Sequence, residues 1–215
     1  MTDQPVRTDG QLDAVSRAVS ATRSGDTVDT VDTVATISQS YGTDAADLWD
    51  ACTTAERLAR WFGPVSGDLR LGGDYQIEGN AHGTVTACTP PRTFTLTWEM
   101  YGPPTVLTVT VEPEGDDRAR LTLEHSGSLD AALWDQFGPG AVGIGWDLGL
   151  IGLAHHLATG SDTPAESTGW VGTESGREFM TGSSRRWADA SVAAGTPEAD
   201  ARAAQARTTE MFLGG

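Results

Sequence analysis

The stretch Leu48-Trp49-Asp50-Ala51-Cys52-Thr53-Thr54-Ala55-Glu56-Arg57-Leu58-Ala59-Arg60-Trp61-Phe62 decides the fold. Leu48, Trp49 and Cys52 fall at spacings that place them on one stripe of a short helix. Gly42-Thr43-Asp44 precedes it, with Thr43 as the expected N-cap and acids in the first turn. Thr53-x-x-Glu56 has the form of a capping box, so a second helix is expected to begin there. Leu58, Trp61 and Phe62 give that helix its buried face, and Gly63-Pro64 stops it. Two short helices with apolar faces need an apolar surface to lie on.

The residues that follow supply one. Gly72-Gly73-Asp74 reads as a turn, Tyr75 and Ile77 alternate with Gln76 and Glu78, and Gly79-Asn80 turns the chain again. Residues 82–88 read as a strand, which Pro90-Pro91 ends. Phe94, Leu96, Trp98 and Met100 then alternate with Thr95, Thr97 and Glu99. Leu107, Val109 and Val111 alternate with Thr108 and Thr110, and Leu121, Leu123 and His125 with Arg120, Thr122 and Glu124. This is the pattern of an antiparallel sheet with one apolar face. A slip of one residue would reverse every face, so the apolar set predicts that His125 points inward.

Residues 140–158 read as a long helix, with Val142, Trp146, Leu150, Leu153 and Leu157 on one stripe. Gly145, Gly149 and Gly152 lie on the neighbouring stripe, each disfavoured in a helix interior by about 1 kcal/mol; close approach of another element is the expected reason. Residues 137–157 are apolar enough to suggest a membrane span. Asp147 near the middle, at about 2.5–3.5 kcal/mol on an insertion scale, favours a buried core helix instead.

Residues 33–41 read as a first strand, with Val34 and Thr36 on one face and Ala35 and Ile37 on the other. Before it, residues 11–23 carry Leu12, Val15 and Val19 at helical spacing, and residues 26–34 repeat Asp-Thr-Val three times, which suits a linker. After the long helix, residues 174–194 read as a helix with Phe179, Ser183, Trp187, Ala190 and Ala194 in line. Gly195 is its C-cap; Thr196 and Pro197 are the expected N-cap and first residue of a final, alanine-rich helix over 198–212. The expected division is an N-terminal helix and linker (1–33), a sheet-and-helix domain (34–160) and a helical extension (161–215). The extension either covers the domain's open edge or pairs with a second subunit as a homodimer.

The chain has 215 residues and a formal net charge of −16, from 14 basic residues, all arginine, against 30 acidic ones. Such a surface repels phosphate backbones and anionic lipid, so neither nucleic acid nor membrane is expected as a partner. Cys52 and Cys88 belong to no CxxC and no metal-type spacing, and are expected as buried, reduced thiols. The polar, acidic N-terminus shows no secretory signal, which points to the cytoplasm.

Several short motifs carry a resemblance. Leu-Trp-Asp-Ala-Cys-Thr (48–53), Leu-Ala-Arg-Trp-Phe (58–62), Gly-Thr-Val (83–85), Thr-Trp-Glu (97–99), Leu-Glu-His-Ser-Gly (123–127) and Gly-Trp-Asp-Leu-Gly-Leu (145–150) resemble the START-like (SRPBCC), helix-grip superfamily. The closest branch is similar to the C-terminal domain of the activator of heat-shock protein 90 ATPase. The resemblance covers about residues 34–159 and implies an α+β fold: a curved antiparallel sheet wrapped around a long C-terminal helix, with two short helices after the first strand. The further C-terminal helices look like an extension of actinobacterial members. The superfamily also implies an apolar cavity between sheet and helix, in which relatives bind lipids, sterols or polyketide-like molecules and a few catalyse cyclisation or dehydration.

The candidate ligand-binding set is Trp61, Phe62, Tyr75, Trp98, Met100, His125, Trp134, Trp146 and Leu150. His125 is the candidate acid or base, because an imidazole in an apolar pocket can orient or protonate a ligand. No Gly-x-Ser-x-Gly elbow occurs. Gly138 to Gly143 lacks the Lys-Ser/Thr of a phosphate-binding loop. His155 and His156 point about 100° apart on a helix and are poorly placed to share a metal. No cofactor and no metal is expected. Three readings stay open: a carrier of a small apolar or amphipathic molecule, a polyketide cyclase- or hydrolase-like enzyme using the pocket histidine, and a chaperone ATPase accessory protein.

Overall fold

Strict alternation of threonine with large apolar residues makes the middle of this chain a sheet. The computed structural model describes residues 8, 10–24, 29–100, 102–160, 162 and 169–214. Among them, α1 (Gln11–Ala14) leads into β1 (Val15–Ser24) and β2 (Thr30–Tyr41), followed by α2 (Ala45–Thr53) and α3 (Ala55–Trp61). Then come β3 (Val65–Gly67), β4 (Asp74–Ile77), β5 (His82–Thr89), β6 (Thr93–Trp98), β7 (Thr105–Pro113) and β8 (Ala119–Asp130). The chain closes with α4 (Ala131–Phe137), α5 (Gly140–Thr159), α6 (Glu174–Ala193) and α7 (Glu198–Leu213).

The eight strands form one antiparallel sheet in the order β1-β2-β8-β7-β6-β5-β4-β3. Registers match the alternation: Leu107 lies opposite His125, Val109 opposite Leu123 and Val111 opposite Leu121, while Phe94 pairs with Val109 and Leu96 with Leu107. The pairing shifts by a residue between Val85 and Ala87, a bulge that adds local twist. On the inner face Leu107, Val109, Val111, Leu121 and Leu123 are buried, each side chain contributing about 1.5–3 kcal/mol.

Helix α5 explains why its sequence is apolar nearly all round. Trp146, Leu150 and Leu153 face the sheet and join the main core. Ile144, Leu148 and Ile151 face the other way and pack with Trp170, Phe179 and Met180 at the start of the C-terminal extension. The extension thus covers the second face of α5 rather than only an edge of the sheet. Among the described residues no single helix is long and apolar enough to cross a membrane.

Several expectations are corrected. The region expected as a helix over 11–23 holds only one helical turn, and Val15–Ser24 is a strand paired along its length with β2. The linker expected over 26–34 is already strand from Thr30 onward; positions 25–28 lie outside the described residues. The two short helices therefore follow the second strand. Asp44, not Thr43, caps α2 by accepting the Asp47 N–H at 2.8 Å. The capping box does not form: Thr54 is the N-cap residue of α3 and makes no side-chain cap bond, while the Thr53 hydroxyl donates to the Trp49 carbonyl. Pro197, one residue after the expected Thr196, stands at the N-cap of α7.

Close approach to α5 occurs, but mainly at a glycine outside the expected stripe. A Cβ on Gly143 would fall inside the Trp187 indole, whereas Gly145 has open space around it. Gly149 lies against the Phe62 ring. Val142, expected on the buried stripe, is partly exposed.

Candidate functional site

Between the sheet and helices α2, α3 and α5 lies a cavity of about 280 Å³. Its walls follow from the elements already described. The inward residues of β7 and β8 (Leu107, Val109, Leu121 and Leu123) form its floor; α3 contributes Leu58 and Trp61, Phe62 follows at the end of that helix, and α5 contributes Trp146 and Leu150. Exposed Leu69 and Pro90 mark its rim. No charged side chain lines it.

Three of the aromatic walls, Tyr75, Trp61 and Trp146, turn their polar atoms to protein partners. Tyr75 donates its hydroxyl to the Thr97 carbonyl at 2.7 Å. Trp61 donates its indole N–H to the Ala51 carbonyl at 2.9 Å. Burial holds the Tyr75 phenol well above its ordinary pKa, with the Glu99 charge adding to it. Burial likewise pushes the Cys52 thiol at the cavity wall up to about 12, so it is a neutral apolar contact rather than a nucleophile.

His125 sits behind the wall. Trp146 donates its indole N–H to His125 Nδ1 at 3.2 Å. Nδ1 is therefore the acceptor nitrogen, and the ring proton resides on Nε2. Nε2 lies 2.7 Å from Thr105 Oγ1, and the Thr105 hydroxyl donates to the Trp98 carbonyl at 3.1 Å. Each donor in this chain has one acceptor, which fixes the neutral tautomer. Burial pushes the imidazole pKa down to about 4, in keeping with a neutral ring. The rings of Trp98 and Trp146 stand 6.0 and 5.7 Å from it, so His125 holds two walls of the cavity and does not line it.

Of the nine residues expected to bind a ligand, Trp61, Phe62, Tyr75, Trp98, Trp146 and Leu150 line the cavity. His125 is one layer removed. Met100 is 44% exposed, because β6 ends at Trp98 and the chain bends away. Trp134 lies elsewhere, in a crevice that α4 forms with α6 and α7. Trp49 and Phe94 complete the aromatic wall, edge to face at 5.8 Å. Both stood on expected apolar faces, and that pairing was the signal that could have nominated them.

A buried polar centre occupies the opposite side of α5. Asp147 is fully buried and receives a forked pair of bonds from Arg17, at 2.6 and 3.1 Å. Ser183 Oγ donates to the same carboxylate at 2.6 Å and Trp187 Nε1 at 2.9 Å. One acid thus joins β1, α5 and α6. Among the described residues no group of three or more His, Cys, Asp or Glu could hold a metal ion.

Comparison with solved structures places the fold. CalU16 from Micromonospora echinospora is similar at 29% identity. Its crystal structure matches with TM-score 0.62 over 85% of this chain and 99% of CalU16. Its solution structure matches with TM-score 0.65 over 88% and 100%. DynU16, from the dynemicin biosynthetic locus, shares the fold at 21% identity and TM-score 0.50, over 59% of this chain and 48% of its own. Comparison with curated proteins found no match. The family model described as "Activator of Hsp90 ATPase homolog 1-like protein" matches residues 43–158, which run from α2 through strands β3 to β8 and nearly to the end of α5. The chain belongs to that family, within the helix-grip superfamily.

Proposed function

We propose that this protein binds a small apolar molecule in the cavity between its sheet and α5. The observation that carries this reading is a lumen of about 280 Å³, open at its rim and lined mainly by aromatic and aliphatic side chains without a charge among them. That volume sits just below the ~300–1,000 Å³ common for ligand sites, and well above the packing defects of an ordinary core. A binding role is favoured over catalysis by the state of His125. Both its ring nitrogens are engaged, by Trp146 and by Thr105, and two indoles stand about it. A group so placed shapes the cavity rather than transferring protons in it.

The test is native mass spectrometry of the protein purified without detergent, combined with a Val85→Phe variant. Val85 is buried in the cavity wall, so the larger ring fills lumen. A co-purified mass, or one taken up from an apolar library, is expected on the wild type and lost in the folded variant. Equal uptake by both would place the binding elsewhere and end this reading.

A further inference from the structure

We propose that the crevice between α4 and the α6–α7 pair is a second binding site, for a neutral, hydroxyl-rich molecule of the size of a short oligosaccharide. Its volume is about 570 Å³, inside the ~300–1,000 Å³ usual for ligand sites. It shares no lining residue with the apolar cavity. Most of its wall comes from β1, α6 and α7, outside the matched family span of residues 43–158. A cavity of about 150 Å³ admits one six-membered ring, so this crevice holds about two or three pyranose rings with their hydroxyls.

The charges on the wall balance. They are Arg23, Arg207, Asp135 and Asp200, two of each sign. Arg23 pairs with Asp135. Arg207 donates from Nε to the Gln136 carbonyl at 2.7 Å and from Nη2 to the Asp135 carbonyl at 2.9 Å, and so closes the last turn of α4. An anionic ligand would meet Asp200 and the field of a chain carrying −16. A cationic ligand would meet two guanidiniums. A neutral ligand meets no such opposition.

Hydrogen-bonding capacity is left over. Ser184 and Ser191 are satisfied, donating to the Gln205 carbonyl at 3.2 Å and to Thr196 Oγ1 at 2.9 Å. Among the described residues, the Trp134 indole N–H, the Thr196 hydroxyl proton and the Gln205 amide N–H groups have no protein acceptor, and the Asp200 carboxylate has no protein donor. Donors and a carboxylate on one wall are served together by groups that both accept and donate. A hydroxyl does both; a carboxylate or phosphate only accepts, and an ammonium only donates. The same wall is apolar at Trp134, Phe137 and Pro197. A pyranose matches this mixture, because its hydroxyls lie round the rim and its C–H groups on the faces. Trp134 alone offers both surfaces, an apolar ring and a polar N–H.

The test is amide-resolved NMR of the isotope-labelled full chain, titrated with maltose and maltotriose. Maltose 1-phosphate is the anionic control; the glucosamine dimer chitobiose is the cationic one, used at about pH 6 where its amines are protonated. Exchanging water for sugar hydroxyls gains little per bond, so a dissociation constant on the order of 1 mM is expected for the neutral sugars, with both charged ones about tenfold weaker. The shifts are expected at the Trp134 indole N–H and at the backbone amides of residues 194–204. Trp134→Ala removes the ring, and Ala203→Trp fills the crevice from its exposed lip. Each is expected to weaken binding about tenfold, with thermal melting to show that both variants fold. No binding of either neutral sugar, shifts confined to residues away from the crevice, an equally tight charged sugar, or binding untouched by Ala203→Trp would each overturn the proposal. None of these results bears on the apolar cavity, which has its own test.

Discussion

Replacing Asp147 with alanine is predicted to destabilise this protein by about 3–5 kcal/mol, the usual penalty for breaking a buried ion pair from one side. The magnitude follows from the geometry. The carboxylate is fully buried and the Arg17 side chain only 4% exposed, so neither charge has water to fall back on. Removing the acid strands the guanidinium and takes the acceptor from Ser183 and Trp187. Against the roughly 5–15 kcal/mol that holds a typical domain together, this is a large fraction. Urea unfolding followed by tryptophan fluorescence measures it, in a cycle of Asp147→Leu, Arg17→Met and the double variant. With the pair replaced by apolar groups, no stranded charge is left. The double variant is therefore expected to lose at least about 2 kcal/mol less than the sum of the singles. The hydroxyl and indole lose their acceptor in both D147L backgrounds, so that loss cancels from the coupling. An alanine variant that loses under about 1 kcal/mol, or a double variant equal to the sum, would show that the three segments are not joined through this carboxylate.

Two glycines of α5 are expected to respond in opposite directions. Gly143→Ala drives a methyl into the buried Trp187 indole and is expected to cost about 1–3 kcal/mol. Gly145→Ala meets nothing within 4 Å and is expected to gain about 0.5–1 kcal/mol from helix propensity. Thermal melting of the two variants checks the order, and equal shifts would refute the packing described here. His125 predicts an acid-sensitive fold. Its pKa falls from the ordinary 6.5 to about 4 on folding, so the unfolded chain takes up the proton first as pH drops. The stability it contributes is complete above about 6.5 and is lost on the way down to about 4, a difference of roughly 3 kcal/mol. Chemical denaturation at pH 7 and pH 4 should show wild type losing that much more than His125→Gln; parallel losses would count against a buried neutral imidazole.

The sheet was legible because its threonine–apolar alternation has the period of a strand, and an alternating face can pack only one way. That six of the nine candidate residues line the cavity was legible for the same reason: bulky side chains on inward faces converge between the sheet and α5. Met100 continued the alternation in sequence but lies beyond the end of the strand. Trp134 belongs to a helix whose partner, α7, is more than sixty residues away in the chain. The N-terminal strand was misread because its inward residues are Val15, Arg17 and Val19. The arginine interrupts an apolar period of two and leaves a spacing that mimics a helix. Its reason for pointing inward, Asp147, lies 130 positions on. That acid was itself legible only as an oddity. A lone carboxylate in an apolar helix demands a buried donor, but nothing local names which of 14 arginines supplies it.

The inward arginine has one more consequence. Strand β1 is the rim of the sheet, ten residues long, and an unpaired rim of that length is a template onto which another chain can add by hydrogen bonding. A charge set into the ribbon's inner face is among the ways natural sheets discourage such growth, because an added strand would have to accommodate it. Helix α6 lies along the same rim, and the rim at the other end, β3, is only three residues long. The ion pair that ties β1 to α5 thus sets on the long rim the kind of feature by which natural sheets discourage edge-to-edge growth.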